Sequence, residues 1–216
     1  MREFLKNNGL SLVLLGLFSL SIIGQSLAGW SAYNEAQRTH HEREIDYSVY
    51  LNSAHFLEAI FENWESEFLQ MGAFVTLTVF LRQKGSPESK PVNAQADVDK
   101  IKPAANSPWP VKRGGWVLAI YQNSLSIALF VLFFISFALH AITGASKYNA
   151  EQIEHGGDQL VTVLQYIGNM QFWYESFQNW QSEFLSIAVL AVLAVYLRQK
   201  GSPESKPVAT PHSENE

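Results

Sequence analysis

Leu81-Arg82-Gln83-Lys84-Gly85-Ser86-Pro87-Glu88-Ser89-Lys90-Pro91-Val92 returns unchanged as Leu197 to Val208, an offset of 116 residues. Upstream of each copy stands a second matched piece, Asn63-Trp64-Glu65-Ser66-Glu67-Phe68-Leu69 and Asn179-Trp180-Gln181-Ser182-Glu183-Phe184-Leu185. Earlier still, Tyr33-Asn34-x-x-Gln37-x-x-His40 pairs with Tyr148-Asn149-x-x-Gln152-x-x-His155. Self-similarity of this kind marks a tandem duplication of a unit of roughly 90 residues, and it constrains every fold that can be considered.

The apolar residues, 47% of the chain, are clustered. Residues 9–28 and 115–142 carry no charge, and about 20 apolar residues suffice to cross the ~30 Å hydrocarbon core. The two runs match in their polar punctuation: Asn8 with Asn123, Ser11 with Ser126, Ser21 with Ser136 and Gly29 with Gly144, while Gln25 falls opposite His140. Arg2 and Lys6 ahead of the first run, and Ser26-Leu27-Ala28 at its end, have the look of a signal peptide. The counterpart at 122–144 is internal and cannot be one, so a retained first span is the better reading. Residues 68–81 and 184–197 are apolar for only 14 residues each. Extending both upstream restores a spanning length and brings in Phe61, Trp64, Trp173, Tyr174, Phe177 and Trp180, an aromatic girdle of the membrane–water interface. Gly85 and Gly201 are placed as helix C-terminal caps, each with Ser-Pro beyond it.

The expectation is an all-α membrane protein of four transmembrane helices, arranged as two parallel two-helix repeats with short extracytoplasmic helices. Repeat 1 covers 1–92, with spans at about 9–29 and 60–82. A flexible cytoplasmic linker covers 93–114. Repeat 2 covers 115–208, with spans at about 116–143 and 174–198, and a disordered tail covers 209–216. Short surface helices are expected at Tyr33–His40 and Tyr148–His155, where Tyr, Gln and His share one helical face. Of the 15 Lys and Arg, only Arg38, Arg43 and Lys147 fall on the side opposite both termini and the linker. That bias predicts a multi-pass protein of the cell inner membrane with both termini cytoplasmic. Because each half holds an even number of spans, the halves point the same way. The absence of cysteine excludes disulfides, thiolate metal sites and sulfur-attached cofactors. A net charge of −5 argues against a nucleic-acid partner. Membrane lipids are the expected surroundings, and a bundle of only four spans invites pairing with itself or with other membrane proteins.

Asn-Trp-x-Ser-Glu-Phe, an apolar run and Leu-Arg-Gln-Lys-Gly-Ser-Pro-Glu-Ser-Lys together resemble an uncharacterised family of small bacterial inner-membrane proteins, catalogued as a domain of unknown function. Asn8-Gly9-Leu10-Ser11-Leu12 and the Tyr33-Asn34 segment are similar to it as well. The resemblance implies location and architecture and carries no reaction.

Chemistry, if present, belongs to polar stripes on the spans. Asn63, Ser66, Glu67 and Gln70 lie at i, i+3, i+4 and i+7, a stripe repeated as Asn179, Ser182, Glu183 and Ser186. Glu67 lies ~21 Å above the cytoplasmic boundary at the helical rise, and Gln25 and His140 reach ~24 Å. The stripes are therefore expected to meet at one level in the outer half of the bilayer. Ionisable groups at such depth are costly and usually face a bundle interior. The expected binding cluster is Glu67, Glu183 and His140 with Gln25, Asn63 and Asn179. The cluster needs no cofactor, although two acids and an imidazole are also ligands for a divalent metal such as zinc or manganese. Arg82, Lys84, Arg198 and Lys200 are candidates for anionic lipid headgroups. Three functions fit: a structural or interaction protein with an outward-facing polar pocket, a small transporter or sensor for protons or divalent metal, and, third, a membrane enzyme on lipid or quinone. The first is preferred, and an enzyme is the weakest reading because no phosphate loop, dinucleotide motif or nucleophile elbow is present. The stripes fade below Gln70 and Ser186, which argues against an open channel.

Overall fold

Two asparagines set where the apolar helices begin. Asn8 (φ −122°, ψ 16°) breaks the helical path of α1 (Arg2–Thr39), and Asn123 (φ −108°, ψ 8°) separates α5 (Gly115–Gln122) from α6 (Ser124–Glu154). Each side-chain amide donates to the carbonyl four residues back, Asn8 to Phe4 at 2.9 Å and Asn123 to Ala119 at 2.8 Å. Such local bonds compete with the helical ladder and bend it. The chain is seen in a computed structural model that describes residues 2–93, 96–101, 103–154, 156–157 and 159–212. The remaining helices are α2 (Tyr47–Tyr50), α3 (Ala54–Phe80), α4 (Trp109–Arg113), α7 (Val163–Ile167) and α8 (Met170–Tyr196). Among the described residues there is no strand.

Three helices are long and apolar enough to cross a membrane: Glu3–Thr39, Ser124–Glu154 and Met170–Tyr196. α3 has the same 27-residue length as α8 but gathers Glu58, Glu62, Glu65 and Glu67 in its first half. It lies against α6 over much of its length and against α8 along another face. α1 joins the rest mainly near its far end, through α2 and through Phe18, whose ring centroid lies 6.1 Å from that of Trp64. It leaves Leu10, Leu14, Leu15 and Leu20 exposed, a surface that hydrocarbon tolerates and water does not.

Beyond α1 and α6 the chain turns back through paired clasps. Asn34 donates to the Ile45 carbonyl at 3.0 Å and accepts from the Ile45 amide at 3.0 Å. Asn149 does the same with Val161 at 2.9 and 2.8 Å. The expected separate surface helices at Tyr33–His40 and Tyr148–His155 are instead continuous with α1 and α6, because nothing before the clasp interrupts the backbone ladder. His155 lies outside the described residues. The short helices at this end are α2 and α7. Their tyrosines reach back to two glycines: Tyr50 packs on Gly29, and Tyr166 on Gly144. A Cβ on Gly144 would sit 2.6 Å from the ring of Tyr166, which is itself buried. Gly144→Ala is therefore expected to lower unfolding stability by about 1–3 kcal/mol, the range for overpacking. Calorimetry that found the variant unchanged would mean that Tyr166 is not fixed there.

α3 ends at Phe80 and α8 at Tyr196, five residues before the glycines expected to cap them. Gly85 (φ +87°) and Gly201 (φ +86°) instead sit in turns closed by Ser86 N–H to Gln83 O and Ser202 N–H to Gln199 O, each 3.1 Å. A positive φ at the third position of such a turn favours glycine. Ser89 then accepts from the Gln83 amide at 2.7 Å, and Ser205 from the Gln199 amide at 2.9 Å. The arginines bond the last helical carbonyls, Arg82 to Val79 O at 3.2 Å and Arg198 to Val195 O at 3.1 Å. Within 93–114 the chain forms a 3-10 turn at Asp97–Asp99, where Asp99 pairs with Lys90, and then α4; residues 94, 95 and 102 lie outside the described residues. Tail residues Thr210, Pro211 and His212 accept hydrogen bonds from Arg198 and Lys206, and 213–216 lie outside the described residues.

The two turns meet through Glu88 and Glu204. Burial, then a hydrogen bond from one carboxyl to the other and their mutual repulsion, push the Glu88 carboxyl up from 4.5 to about 7. A carboxyl whose folded pKa is raised contributes most at low pH and loses that contribution as pH climbs through the folded value. The ends of α3 and α8 should therefore loosen between about pH 4.5 and 7. Glu88→Gln should flatten this dependence, as read by hydrogen exchange at residues 82–90.

Candidate functional site

α3, α6 and α8 converge on His140, whose side chain is fully buried. Its ring stacks on Phe172 with centroids 4.7 Å apart and planes 29° apart, which fixes the imidazole plane. Its Nδ1 lies 2.7 Å from Glu65 Oε2. The other oxygen of Glu65, also fully buried, accepts from Trp180 Nε1 at 3.0 Å. Glu65 thus binds α3 to α6 and α8 with both oxygens engaged. A carboxylate can only accept, so Nδ1 bears the proton. In the neutral ring this leaves the lone pair on Nε2.

Nε2 is buried and has no hydrogen-bond partner among the described residues. Three further acids stand around the imidazole ring. Glu58 and Glu62, one turn apart on α3, each offer an oxygen, and these two atoms and a His140 nitrogen all lie within 4.8 Å of one another. Glu175 Oε2, from α8, is 3.8 Å from Nε2. Each acid is also tethered. Glu58 takes Lys147 Nζ at 3.1 Å on both oxygens. Glu62 accepts from Asn179 Nδ2 at 2.5 Å. Glu175 accepts from Tyr166 Oη at 2.8 Å and Gln171 Nε2 at 2.7 Å. Burial first, then the Glu175 carboxylate, raise the Tyr166 hydroxyl well above its usual range, so it stays a donor. Carboxyl groups outnumber cationic ones four to two even with the imidazole counted as a cation.

The cluster has an entrance. A half-open cavity of about 620 Å³ is bordered by Lys147 and Glu175 together with Glu151, Tyr166 and Gln171. A second cavity of about 740 Å³ lies between the far ends of α1 and α6, and Lys147 lines it too. The two are built from corresponding positions: Gly29, Ala32, Tyr33, Ala36 and His55 in one, Gly144, Lys147, Tyr148, Glu151 and Gln171 in the other. At the positions where the 740 Å³ cavity has Ala32 and Ala36, the 620 Å³ cavity has Lys147 and Glu151.

The residues expected from sequence are distributed differently. His140 is central. Asn179 reaches it indirectly, through Glu62. Glu67 on α3 and Glu183 on α8 are near enough for their charges to repel, one turn from Gln70, which donates to the Glu183 carbonyl at 3.3 Å and to Ser186 Oγ at 3.4 Å. They are a separate pair, since Glu65 holds the place against His140 where Glu67 was expected. Asn63 is exposed and bonds Ala59 O on its own helix at 2.6 Å. Gln25 is exposed on α1. Lys84 and Lys200 project from their turns, whereas Arg82 and Arg198 are partly engaged by helix ends. Sequence reasoning missed Glu58, Glu62 and Lys147 and gave Glu65 no role. The available signal was the i, i+4, i+7 spacing of Glu58, Glu62 and Glu65, which places all three on one helical face.

Fold and site together define a helical protein, with helices fit to cross a membrane, built around a buried ionisable centre. Over its whole length, residues 1–216, the chain matches the family described as a domain of unknown function, DUF6766, and belongs to it. No curated protein and no solved structure matches.

Proposed function

We propose that the protein is a four-span inner-membrane protein, two parallel two-helix repeats with cytoplasmic termini, that receives a small cation in a pocket facing away from the cytoplasm. It acts as a sensor or receptor for that cation and carries out no reaction. α3 is the fourth span: its glutamates disqualify it by hydropathy alone, but Glu58 and Glu65 are turned inward against α6 and α8. The observation that carries the reading is the unpartnered, buried Nε2 of His140 among Glu58, Glu62 and Glu175, beside an acid-lined cavity. An excess of acids in a low-dielectric setting calls for positive charge. Toward the cytoplasmic end the polar side chains between α3 and α6 thin out to Thr76 and Ser126, whose hydroxyls lie 3.4 Å apart, and α8 presents Ala188, Ala191 and Ala194, so the pocket is read as blind. A blind pocket favours sensing over transport. Lys84 and Lys200 hold anionic headgroups at the opposite surface.

The test is a thermal-stability screen of the purified protein across pH, cations and lipids. A cation at 100 times its Kd should stabilise by about 2.7 kcal/mol, and Glu175→Gln, at the entrance, should reduce that gain. Stabilisation that also vanished in Glu67→Gln/Glu183→Gln but survived in Glu175→Gln would move the site to the other pair. A flat response to every cation and pH would leave a purely structural protein.

A further inference from the structure

We infer that His140 Nε2, Glu58 and Glu62 form a site for a first-row divalent metal ion, with Glu65 as the outer carboxylate that orients the imidazole. The inference rests on the cation-receiving pocket above and names its ligand. Three independent features point to a metal. The first is the donor set: one imidazole nitrogen and two carboxylate oxygens within 4.8 Å of one another, with Glu175 Oε2 3.8 Å from Nε2. Ligands around zinc sit at roughly 2.0–2.2 Å, so neighbouring donors are ~3–4 Å apart, and an inward shift of about 1 Å closes the shell. The second is the orphaned nitrogen: Nε2 of a fully buried imidazole has no hydrogen-bond partner among the described residues, with Glu175 Oε2 3.8 Å away. A histidine that holds a metal commonly gives its other N–H to a carboxylate, which fixes tautomer and ring orientation; Glu65 Oε2, 2.7 Å from Nδ1, has that place, and Trp180 secures its second oxygen. The third is charge: the acids exceed the cations, and a dication removes the excess.

The set also limits which metal. One nitrogen with two or three oxygens suits manganese or zinc, whereas all-oxygen shells suit magnesium and calcium. Lys147 Nζ now holds both oxygens of Glu58 and is half-buried at the border of the cavity. On metal entry the ammonium swings into that space and Glu58 turns to the ion. A proton held on Nε2 leaves to solvent as the ion binds there, and no other covalent bond changes.

The experiment uses the full chain in nanodiscs, stripped with chelator and titrated with MnCl2 or ZnCl2 by calorimetry, with metal-edge X-ray absorption on the loaded sample. The expected result is one ion per chain, imidazole scattering in the absorption spectrum, and at least tenfold weaker binding in Glu62→Gln. Glu62→Gln keeps an oxygen to accept from Asn179, and its fold is checked by circular dichroism. Should Glu62→Gln fail to fold, the spectrum of the wild-type protein decides alone: a first shell without imidazole overturns the site. So does wild-type protein that takes up neither metal, or a Glu62→Gln variant that binds as tightly as wild type. If neither metal binds but stability still responds to pH or organic cations through Glu175, the metal assignment is lost and the pocket remains. If nothing responds, both are lost.

Discussion

Replacing Glu65 with leucine is expected to destabilise the purified protein by about 2–6 kcal/mol, at about 1–3 kcal/mol for each buried donor left without an acceptor. Two donors lose their acceptor at once: His140 Nδ1, 2.7 Å away, and Trp180 Nε1, 3.0 Å away, contributed by different helices. His140 finds no water in exchange, because its side chain is fully buried. Glu65→Gln should fall in between, about 1–3 kcal/mol, since one amide oxygen can serve one donor while the NH2 is turned against the other. The ordering Leu, then Gln, then wild type is the diagnostic, measured by denaturant titration in detergent. Equal losses for the two variants would show that helix packing, and not the acceptor, is what Glu65 supplies.

Much of the fold is legible in the chain. The 12-residue duplication, the matched Asn8 and Asn123, and the paired Tyr-Asn segments forecast structure that recurs in detail: the same helix break at both asparagines, the same clasp at Asn34 and Asn149, the same glycine turn at 85 and 201. These features are local. A side-chain amide, a positive φ and a turn hydrogen bond are set by a few consecutive residues, so identical letters give identical geometry. The places of the long helices also follow from the apolar runs, although α1 and α6 run on past them to Thr39 and Glu154. The helix ends near Leu81 and Leu197 are less legible, because Arg82 and Arg198 bond the last carbonyls and free Gly85 and Gly201 to shape the turns beyond.

The candidate site is where duplication misleads. A search guided by the repeat picks residues that both halves retain, hence Glu67 and Glu183. The cluster around His140 uses positions at which the halves differ. Counted at the repeat offset, His140 stands opposite Gln25, Lys147 opposite Ala32, Glu58 opposite Tyr174, Glu62 opposite Gln178, Glu65 opposite Gln181, and Glu175 opposite Ala59. Every charge in the cluster is neutral in its counterpart. Which stripe of α3 faces α6 is a tertiary matter: Glu65 and Glu67 are two residues apart, about 200° around the helix, and periodicity alone does not say which one looks inward.

Lys147→Met should destabilise by about 3–5 kcal/mol, for a reason opposite to the usual value of a lysine. The side chain of Glu58 is 3% exposed and takes both its short bonds from Lys147 Nζ. Without the ammonium it is a carboxylate in an apolar wall, with Glu62 one turn away and Glu175 across the cavity. Replacing both members, Lys147→Met with Glu58→Met, removes the stranded charge and should recover most of the loss, since an ion pair exchanged for well-packed apolar groups is often neutral. A double variant as unstable as the single one would mean that Lys147 acts through other partners, Glu151 foremost. Added manganese or zinc extends the cycle. If the ion takes over from the ammonium as the counter-charge of Glu58, metal should restore Lys147→Met toward wild-type stability and bind it more tightly than wild type, because no cation has to be displaced. The double variant, lacking the Glu58 ligand, should gain less from metal than Lys147→Met does. That crossed pattern needs Lys147 and the metal to compete for the same two oxygens, and a lysine serving only as a brace would not produce it.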